Sequence, residues 1–375
     1  MKNYIAEILK GNFAYTARDI YSAIAFLSKV GVTALSDLKS SFFENISLVY
    51  ICVLYYLSTF AIGKYLGVHI TGSLDFYYLI FYQYLFAFFF LIWSGATVIY
   101  LINNPKTGFA GIPIIWSKLR KDYLSSITIT RFIVIFSIIP LFMCSYSSIK
   151  QSITLFNSFS FDPWLYQVDK ILHFNSSPWE ILQPLIGYPI ITRFFDFCYL
   201  AWGSLFVYSL LYMACHGDKR LRLQFFISLA CCWILIGNFL AIVFTSAGPC
   251  YYSQVTGTAA SPYAGLFAYL QSVPGLKAVG IQSVLWQSFE AGQFMPLGGI
   301  SAMPSMHVSI AVLLALLHRK MSRWMGWVFI GFAIIVQIGS VHLGWHYAVD
   351  GYLSGVLTIV IWNVTGKKLL KYQEQ

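Results

Sequence analysis

Residues 77–102 read YYLIFYQYLFAFFFLIWSGATVIYLI, a run of 26 positions without a charged side chain. About 20 mostly apolar residues are enough for a helix to cross the hydrocarbon core of a bilayer, so this run predicts a transmembrane helix. Hydrophobic residues make up 58% of the 375 positions and charged residues only 10%, whereas soluble proteins are about a quarter charged. The sequence therefore predicts an all-α, polytopic membrane protein.

Further apolar segments bring the expected number of transmembrane helices to about eight. The proposed segments are 46–66, 77–102, 132–148, 195–215, 223–244, 305–317, 324–341 and 347–364. With both termini in the cytoplasm, the cytoplasmic segments hold eighteen lysines and arginines and the opposite side holds five. This asymmetry supports the helix count and the orientation, because positive charge accumulates in cytoplasmic loops. Contact with anionic lipid of the bilayer accounts for the net charge of +10, so no nucleic-acid partner is predicted.

Three regions are predicted along the chain. Residues 1–45 form an interfacial amphipathic segment, residues 46–126 a two-helix membrane extension, and residues 127–375 a membrane domain with the remaining six helices. In the first region, apolar residues recur at helical spacing at Ile20, Ile24, Leu27 and Val30. A helix packed on the protein itself is the alternative interpretation of that region.

A histidine and a carboxylate stand four residues apart at the start of the last apolar segment, at His346 and Asp350. Residues at this spacing share one helix face, so the carboxylate can accept a hydrogen bond from the imidazole and fix which ring nitrogen is free. An imidazole held in this way is a competent nucleophile toward phosphorus, and Asp350 would stabilise the charge that develops. The alternative is structural, with Asp350 capping a helix and His346 at the water interface.

A second histidine, His307, stands in the first turn of another apolar segment, behind Pro304. The free amides and the macrodipole of a first helical turn favour a bound phosphate, whose leaving oxygen His307 could protonate. A histidine at a helix start also occurs for structural reasons. The predicted orientation brings His307, His346 and Asp350 to one exoplasmic (periplasmic, extracellular or lumenal) face, which favours an active site there.

These residues resemble the signatures of a known family. Pro304-Ser305-Met306-His307 resembles the P-S-x-H signature of the type-2 phosphatidic acid phosphatase superfamily, and His346-x3-Asp350 resembles the end of its S-R-x5-H-x3-D signature. The resemblance implies a six-helix catalytic core in residues 127–375 that uses no metal and no cofactor. It also implies a phosphohistidine intermediate on His346, orientation of that ring by Asp350, and proton donation by His307.

Two cations of these signatures are missing from the chain. Counting back from His346 puts Ser340 where the signature has arginine, and no K-x6-R-P element precedes the Pro-Ser-Met-His turn. Other groups must then stabilise the charge of the transition state. The candidate substrate-binding residues are Ser305, His342, Tyr251 and Tyr252, with Arg193 and Lys277 as further exoplasmic donors.

Residues 162–178, 247–252 and 345–350 resemble the inositol phosphorylceramide synthase-like branch of the superfamily. That branch resemblance implies transfer of a phosphorylated head group from a phospholipid donor to a lipid alcohol, which is the favoured interpretation. Hydrolysis of phosphatidate or polyprenyl pyrophosphate, with water as the acceptor, is the close alternative.

Two other classes of protein are weighed against this one. A zinc enzyme is conceivable because His342, His346 and Asp350 recur every fourth residue and could ligate the ion together with His307. A transporter could use the intramembrane Asp350 for proton coupling. The paired broken helices typical of transporters do not occur in the sequence, and the Pro-Ser-Met-His turn argues against zinc.

Overall fold

The computed structural model of the protein describes residues 17–67, 74–104 and 112–371, and it describes side chains within the first range from residue 31 onward. Every regular element in these ranges is a helix. The helices of eight or more residues are α1 (Ala17–Glu44), α2 (Ile46–Leu66), α3 (Leu74–Asn103), α4 (Ile112–Tyr123), α5 (Ser126–Gln151), α6 (Asp162–Leu172), α7 (Pro178–Ile186), α8 (Pro189–Cys215), α9 (Lys219–Val243), α10 (Ala264–Ser272), α11 (Lys277–Glu290), α12 (Met306–Met321), α13 (Arg323–His342) and α14 (Ala348–Lys371). Shorter helical turns occupy Ile153–Phe156, Pro249–Tyr251 and Tyr252–Thr256.

Seven of the described helices are long and apolar enough to cross a membrane, namely α2, α3, α5, α8, α9, α13 and α14. Their outer faces expose large apolar side chains such as Phe86 and Ile190, each 78% accessible. An extended apolar exterior of this kind is unfavourable in water and suits the hydrocarbon of a bilayer. The protein is therefore a multi-pass membrane protein with an all-helical fold, as the sequence predicts.

Helix α12 is the predicted spanning segment that is too short to count as a span. Its 16 residues extend about 24 Å at 1.5 Å per residue, less than the roughly 30 Å thickness of the hydrocarbon core. It packs along α13 and α14. Its first residue, Met306, lies against Gly237 in the π-helical part of α9, where a Cβ atom would come within 2.9 Å of the Met306 sulfur. Helix α12 thus begins inside the bundle.

The N-terminal helices pack on the remainder of the bundle. Oε2 of Glu44, the last residue of α1, accepts hydrogen bonds from Nε of Arg131 at 3.1 Å and from Nη2 of the fully buried Arg222 at 2.8 Å. The Tyr77 hydroxyl of α3 is hydrogen-bonded to Ser147 of α5. The side chains proposed to form the amphipathic face of α1 lie outside the described residues, so the interfacial position of this helix stays a prediction, as does the three-region division.

Candidate active site

A cavity of about 310 Å³ lies at one end of the bundle, between α5, α8, α9, α11, α12 and the loop that joins α13 to α14. Basic residues mark the other ends of α9, α12 and α14, at Lys219, Arg319 and Lys367. The polar residues that line the cavity include Lys150, Asp196, Tyr251, Ser301, His307 and His346. Apolar residues form much of the remaining wall, among them Met143, Leu200, Trp202, Trp233, Ile281 and Leu285. The cavity therefore combines a small polar region with an apolar wall.

His346 lies in the loop between α13 and α14, and its ring has a fixed tautomer. Its Nδ1 is 2.9 Å from the carbonyl oxygen of Ala302 and 3.3 Å from Oδ2 of Asp350. A carbonyl oxygen only accepts hydrogen bonds, so Nδ1 carries the hydrogen and Nε2 keeps its lone pair. Among the described residues, none donates a hydrogen bond to Nε2. Burial lowers the pKa of His346, and the nearby Lys150 ammonium lowers it further, so the neutral imidazole is favoured.

Asp350 is fully buried in the first turn of α14. Besides facing His346, its Oδ2 accepts a hydrogen bond from the amide of Tyr347 at 3.0 Å, while Oδ1 has no partner among the described residues. Helix α14 begins at Ala348, so His346 precedes the helix and reaches the carboxylate from the loop. The predicted pairing of the two side chains is present in the structure, although the histidine lies two residues before the helix begins.

His307 lies in the first turn of α12 between two aromatic rings. Its imidazole stacks on Tyr199 with a centroid separation of 4.3 Å and contacts Trp202 at 4.4 Å. The ring centroids of His307 and His346 are 6.1 Å apart. The stacking holds the ring in place. Burial lowers the pKa of His307, and the nearby His346 and the Lys150 ammonium lower it further, so a bound phosphate anion is needed to favour the protonated ring. The two imidazoles are close enough to act on a single phosphoryl group between them.

Two aspartates of α6 hold the loop that carries His346. Asp169 accepts hydrogen bonds from the amides of Ala348 and Val349 at 2.7 and 2.9 Å, which satisfies free donors at the start of α14. Asp162 accepts the Tyr347 hydroxyl at 2.8 Å and the amides of Ala247 and Gly248 at 2.9 and 2.8 Å. Burial raises the pKa of both carboxyl groups, and these backbone donors oppose the rise. These two aspartates are not among the predicted site residues; both fall within residues 162–178, and the resemblance of that stretch to the synthase-like branch is the available signal.

A third aspartate positions the helix that covers the cavity. Oδ2 and Oδ1 of Asp196 accept hydrogen bonds from the first two amides of α11, at Lys277 and Ala278, at 2.8 and 2.9 Å. Ile281 and Leu285 of the same helix line the cavity. The connection between α9 and α12 thus contributes α11 to the cavity wall.

Two of the predicted substrate-binding residues lie at or beside the cavity. Tyr251 lines it, with its hydroxyl donating to the carbonyl oxygen of Gln282 at 2.8 Å. Ser305 is fully buried at the N-cap of α12, where its hydroxyl accepts from the amide of Val308 at 3.5 Å. Its own amide donates to the carbonyl oxygen of Asp350 at 3.2 Å. Ser305 therefore joins the two helices that carry His307 and Asp350.

The structure does not bring His342 or Tyr252 to the cavity lining. His342 ends α13, and its Nε2 is 2.9 Å from Thr192 Oγ1. The chain turns at Gly344, which has a φ of +72°, so His342 and His346 do not share one helix face. Tyr252 packs against Tyr166 and Tyr263 instead. The zinc alternative, which needs His342 beside His346, has no geometric support within the described residues.

The cationic donors proposed from the sequence also lie elsewhere. Arg193 and Lys277 are both exposed, and Arg193 donates to the carbonyl oxygen of Pro274. Lys150, at the end of α5, is the lysine that lines the cavity. Sequence reasoning missed it because the only signal was a lysine at the end of an apolar segment, where lysines commonly anchor helices at the interface.

Comparison with known proteins assigns the chain to a family. A model of the PAP2 superfamily, the type-2 phosphatidic acid phosphatases, matches residues 163–364. The matched region includes His307, His346 and Asp350 and begins after α5. No curated protein and no solved structure matches the chain significantly. Because the family match spans more than half of the sequence, the chain belongs to the PAP2 superfamily, and this membership supports a function of the phosphatase or phosphotransferase type.

Proposed function

We propose that the protein is a lipid phosphotransferase that moves a phosphorylated head group from a phospholipid to the hydroxyl of a second lipid through a phosphohistidine intermediate, without a metal ion or cofactor. The observation that carries the proposal is the free Nε2 of His346, whose ring lines the same cavity as His307 at a centroid separation of 6.1 Å. An unprotonated nitrogen and a potential proton donor on one cavity suit in-line displacement at phosphorus.

The reaction has two displacement steps. Nε2 of His346 attacks the phosphorus of the donor phosphodiester, and the N–P bond forms as the P–O bond to the diacylglycerol breaks. Protonated His307 gives its proton to the departing oxygen, while Asp350 stabilises the positive imidazole ring. The acceptor hydroxyl then attacks phosphorus and gives its proton to His307, and the N–P bond breaks, which restores both histidines.

The shape of the cavity supports a lipid substrate. Leu200 lines the cavity, is 43% exposed and belongs to the spanning helix α8, so we infer that the cavity opens toward the bilayer at this point. Gly203, one turn further along α8, lines the cavity too, and a Cβ atom at this position would meet no atom within 4 Å. An apolar opening at this point would admit an acyl chain directly from the membrane.

A second cavity supports transfer over hydrolysis. It measures about 360 Å³, adjoins the first at Lys150, Gly299 and Ile300, and has hydroxyl and amide groups from Gln151 and Ser288 in its wall. Two adjoining cavities provide space for a donor and an acceptor at one phosphorus. We place both termini in the cytoplasm and the cavity on the exoplasmic face, since the basic helix ends lie opposite the cavity.

The test is a product analysis with purified protein in vesicles. Donor phospholipids with isotopically labelled head groups are mixed with lipid alcohols, and mass spectrometry follows the label. Label on the lipid alcohol supports transfer, and release of a free head-group phosphate in its place would identify a hydrolase. An acid-labile phosphohistidine adduct at residue 346 should appear in either case. Normal turnover by His346→Ala would refute the catalytic assignment.

A further inference from the structure

The cavity contains a cation whose role the family signatures do not assign. We infer that Lys150 binds the phosphoryl group undergoing transfer and supplies the positive charge that the missing arginine and lysine would otherwise provide. This inference rests on the proposed function, because it concerns the same phosphoryl group. It makes Lys150 a catalytic residue contributed by α5, a helix outside the region that matches the family.

The charges that line the cavity leave Lys150 available for an anion. Asp196 is the carboxylate on the cavity wall, and its two oxygens already accept the amides of Lys277 and Ala278. Among the described residues, no carboxylate lies within ion-pair distance of Lys150. An ammonium group in a largely apolar cavity, without a counter-ion from the protein, is favourably paired with a phosphate.

The position of Lys150 relative to the histidines fits this role. Lys150 shares the cavity wall with His307 and His346, and its charge acts on the His346 ring. It also lines the second cavity, so Lys150 lies where the two cavities join. A phosphorus atom attacked by His346 from one cavity and by an acceptor from the other would lie at this junction.

The surrounding backbone leaves space for the Lys150 side chain. Gly299 has a φ of +93°, and a Cβ atom there would lie 3.1 Å from Cγ of Lys150 and 3.0 Å from Cγ of Gln151. A side chain at position 299 would therefore push against the lysine stem. Ser340, at the position of the signature arginine, is fully buried and donates to the carbonyl oxygen of Gln337 at 2.8 Å, so it provides no substitute charge.

The alternative role for Lys150 is to anchor the end of α5 at the membrane interface. Measurement of the affinity for phosphate distinguishes the two roles. Inorganic phosphate serves as the probe, with its dissociation constant measured by competition against a labelled donor and by protection of the protein against thermal unfolding. Lys150→Gln should weaken phosphate binding and lower kcat/KM, each by about 100-fold, whereas Lys150→Arg should keep both within about tenfold. Lys64→Gln, which removes an exposed lysine from the last turn of the spanning helix α2, is the matched control.

Each outcome decides between the roles. If Lys150→Gln lowers only the melting temperature and leaves the phosphate dissociation constant unchanged, Lys150 is an anchor and the inference is wrong. In that case the wild-type protein still forms the adduct on His346, so the proposed function stands. If the wild-type protein forms no phosphohistidine at all, the proposed function fails, whatever the phosphate affinity of the Lys150 variants.

Discussion

Nδ1 of His346 donates a hydrogen bond to the carbonyl oxygen of Ala302 over 2.9 Å, which is shorter than its 3.3 Å contact with Asp350. Ala302 belongs to the loop that leads into α12, the helix of His307. The backbone that leads to His307 therefore fixes the tautomer of His346. This relationship predicts how the reaction should respond when the carboxylate is removed.

Asp350→Asn should lower kcat by about 100-fold. In a serine protease triad, the corresponding change costs about 10⁴-fold because the histidine takes the wrong tautomer. Here the Ala302 carbonyl retains the correct tautomer, so only the stabilising charge is lost. Single-turnover measurement of phosphohistidine formation tests this, with His346→Gln, which has no nucleophile, as the null control. A loss of 10⁴-fold or more would show that Ala302 does not hold the ring.

His307→Gln should slow the reaction according to how much the leaving group needs a proton. With a phospholipid donor the leaving group is an alkoxide, and we expect a loss of about 10² to 10⁴-fold. With a p-nitrophenyl phosphodiester the leaving phenolate needs no proton, so adduct formation should stay within about tenfold of the wild type. An equal loss with both donors would contradict the role of His307 as a general acid.

Formation of the adduct from the p-nitrophenyl donor should not fall as the pH decreases from 7 to 5.5. The nucleophile is the neutral imidazole, and burial lowers the pKa of His346 below its ordinary value of 6.5, so protonation begins only at lower pH. The donor is a diester and does not titrate in this range. Rapid-mixing measurement of p-nitrophenolate release gives the rate, and a decline centred near pH 6.5 would show an ordinary histidine.

Asp169→Ala should reduce both the stability and the activity, because it removes the two carboxylate oxygens that accept the amides of Ala348 and Val349. Loss of a helix cap costs about 1–2 kcal/mol, so the free energy of unfolding should decrease by that amount. Asp169→Asn keeps one acceptor oxygen and should lose less. Asp75→Ala removes an exposed aspartate from the first turn of α3 and is the matched control. Thermal unfolding in detergent and kcat are the two measurements.

Gly203→Leu should decrease activity toward long-chain lipids by about tenfold or more, since a branched side chain would fill the opening beside Leu200. A short-chain donor that enters from water should be used at nearly the wild-type rate. Gly331→Leu is the control, because Gly331 also lies in a spanning helix and a Cβ atom there would meet no atom within 4 Å. Equal losses with both donors would mean that the substitution disturbs the fold.

The sequence alone was enough to predict the membrane fold and the central candidate residues. Transmembrane helices depend on local apolar composition, which can be read directly, so seven of the eight proposed segments correspond to helices long enough to span. The remaining segment, 305–317, corresponds to α12, which is shorter because it begins inside the bundle. His346 and Asp350 are close in sequence, and their pairing followed from a spacing of four.

The tertiary structure decided what depends on contacts between distant segments. Lys150 is 157 positions before His307 and lines the same cavity because α5 packs beside α8 and α9, which in turn contact α12. The hydrogen bonds from Asp162, Asp169 and Asp196 join segments at least 80 residues apart. The loop around Gly344 likewise moved His342 away from His346. Hydropathy and spacing report which residues share a helix face, whereas the contacts between helices depend on how the side chains of the whole bundle pack.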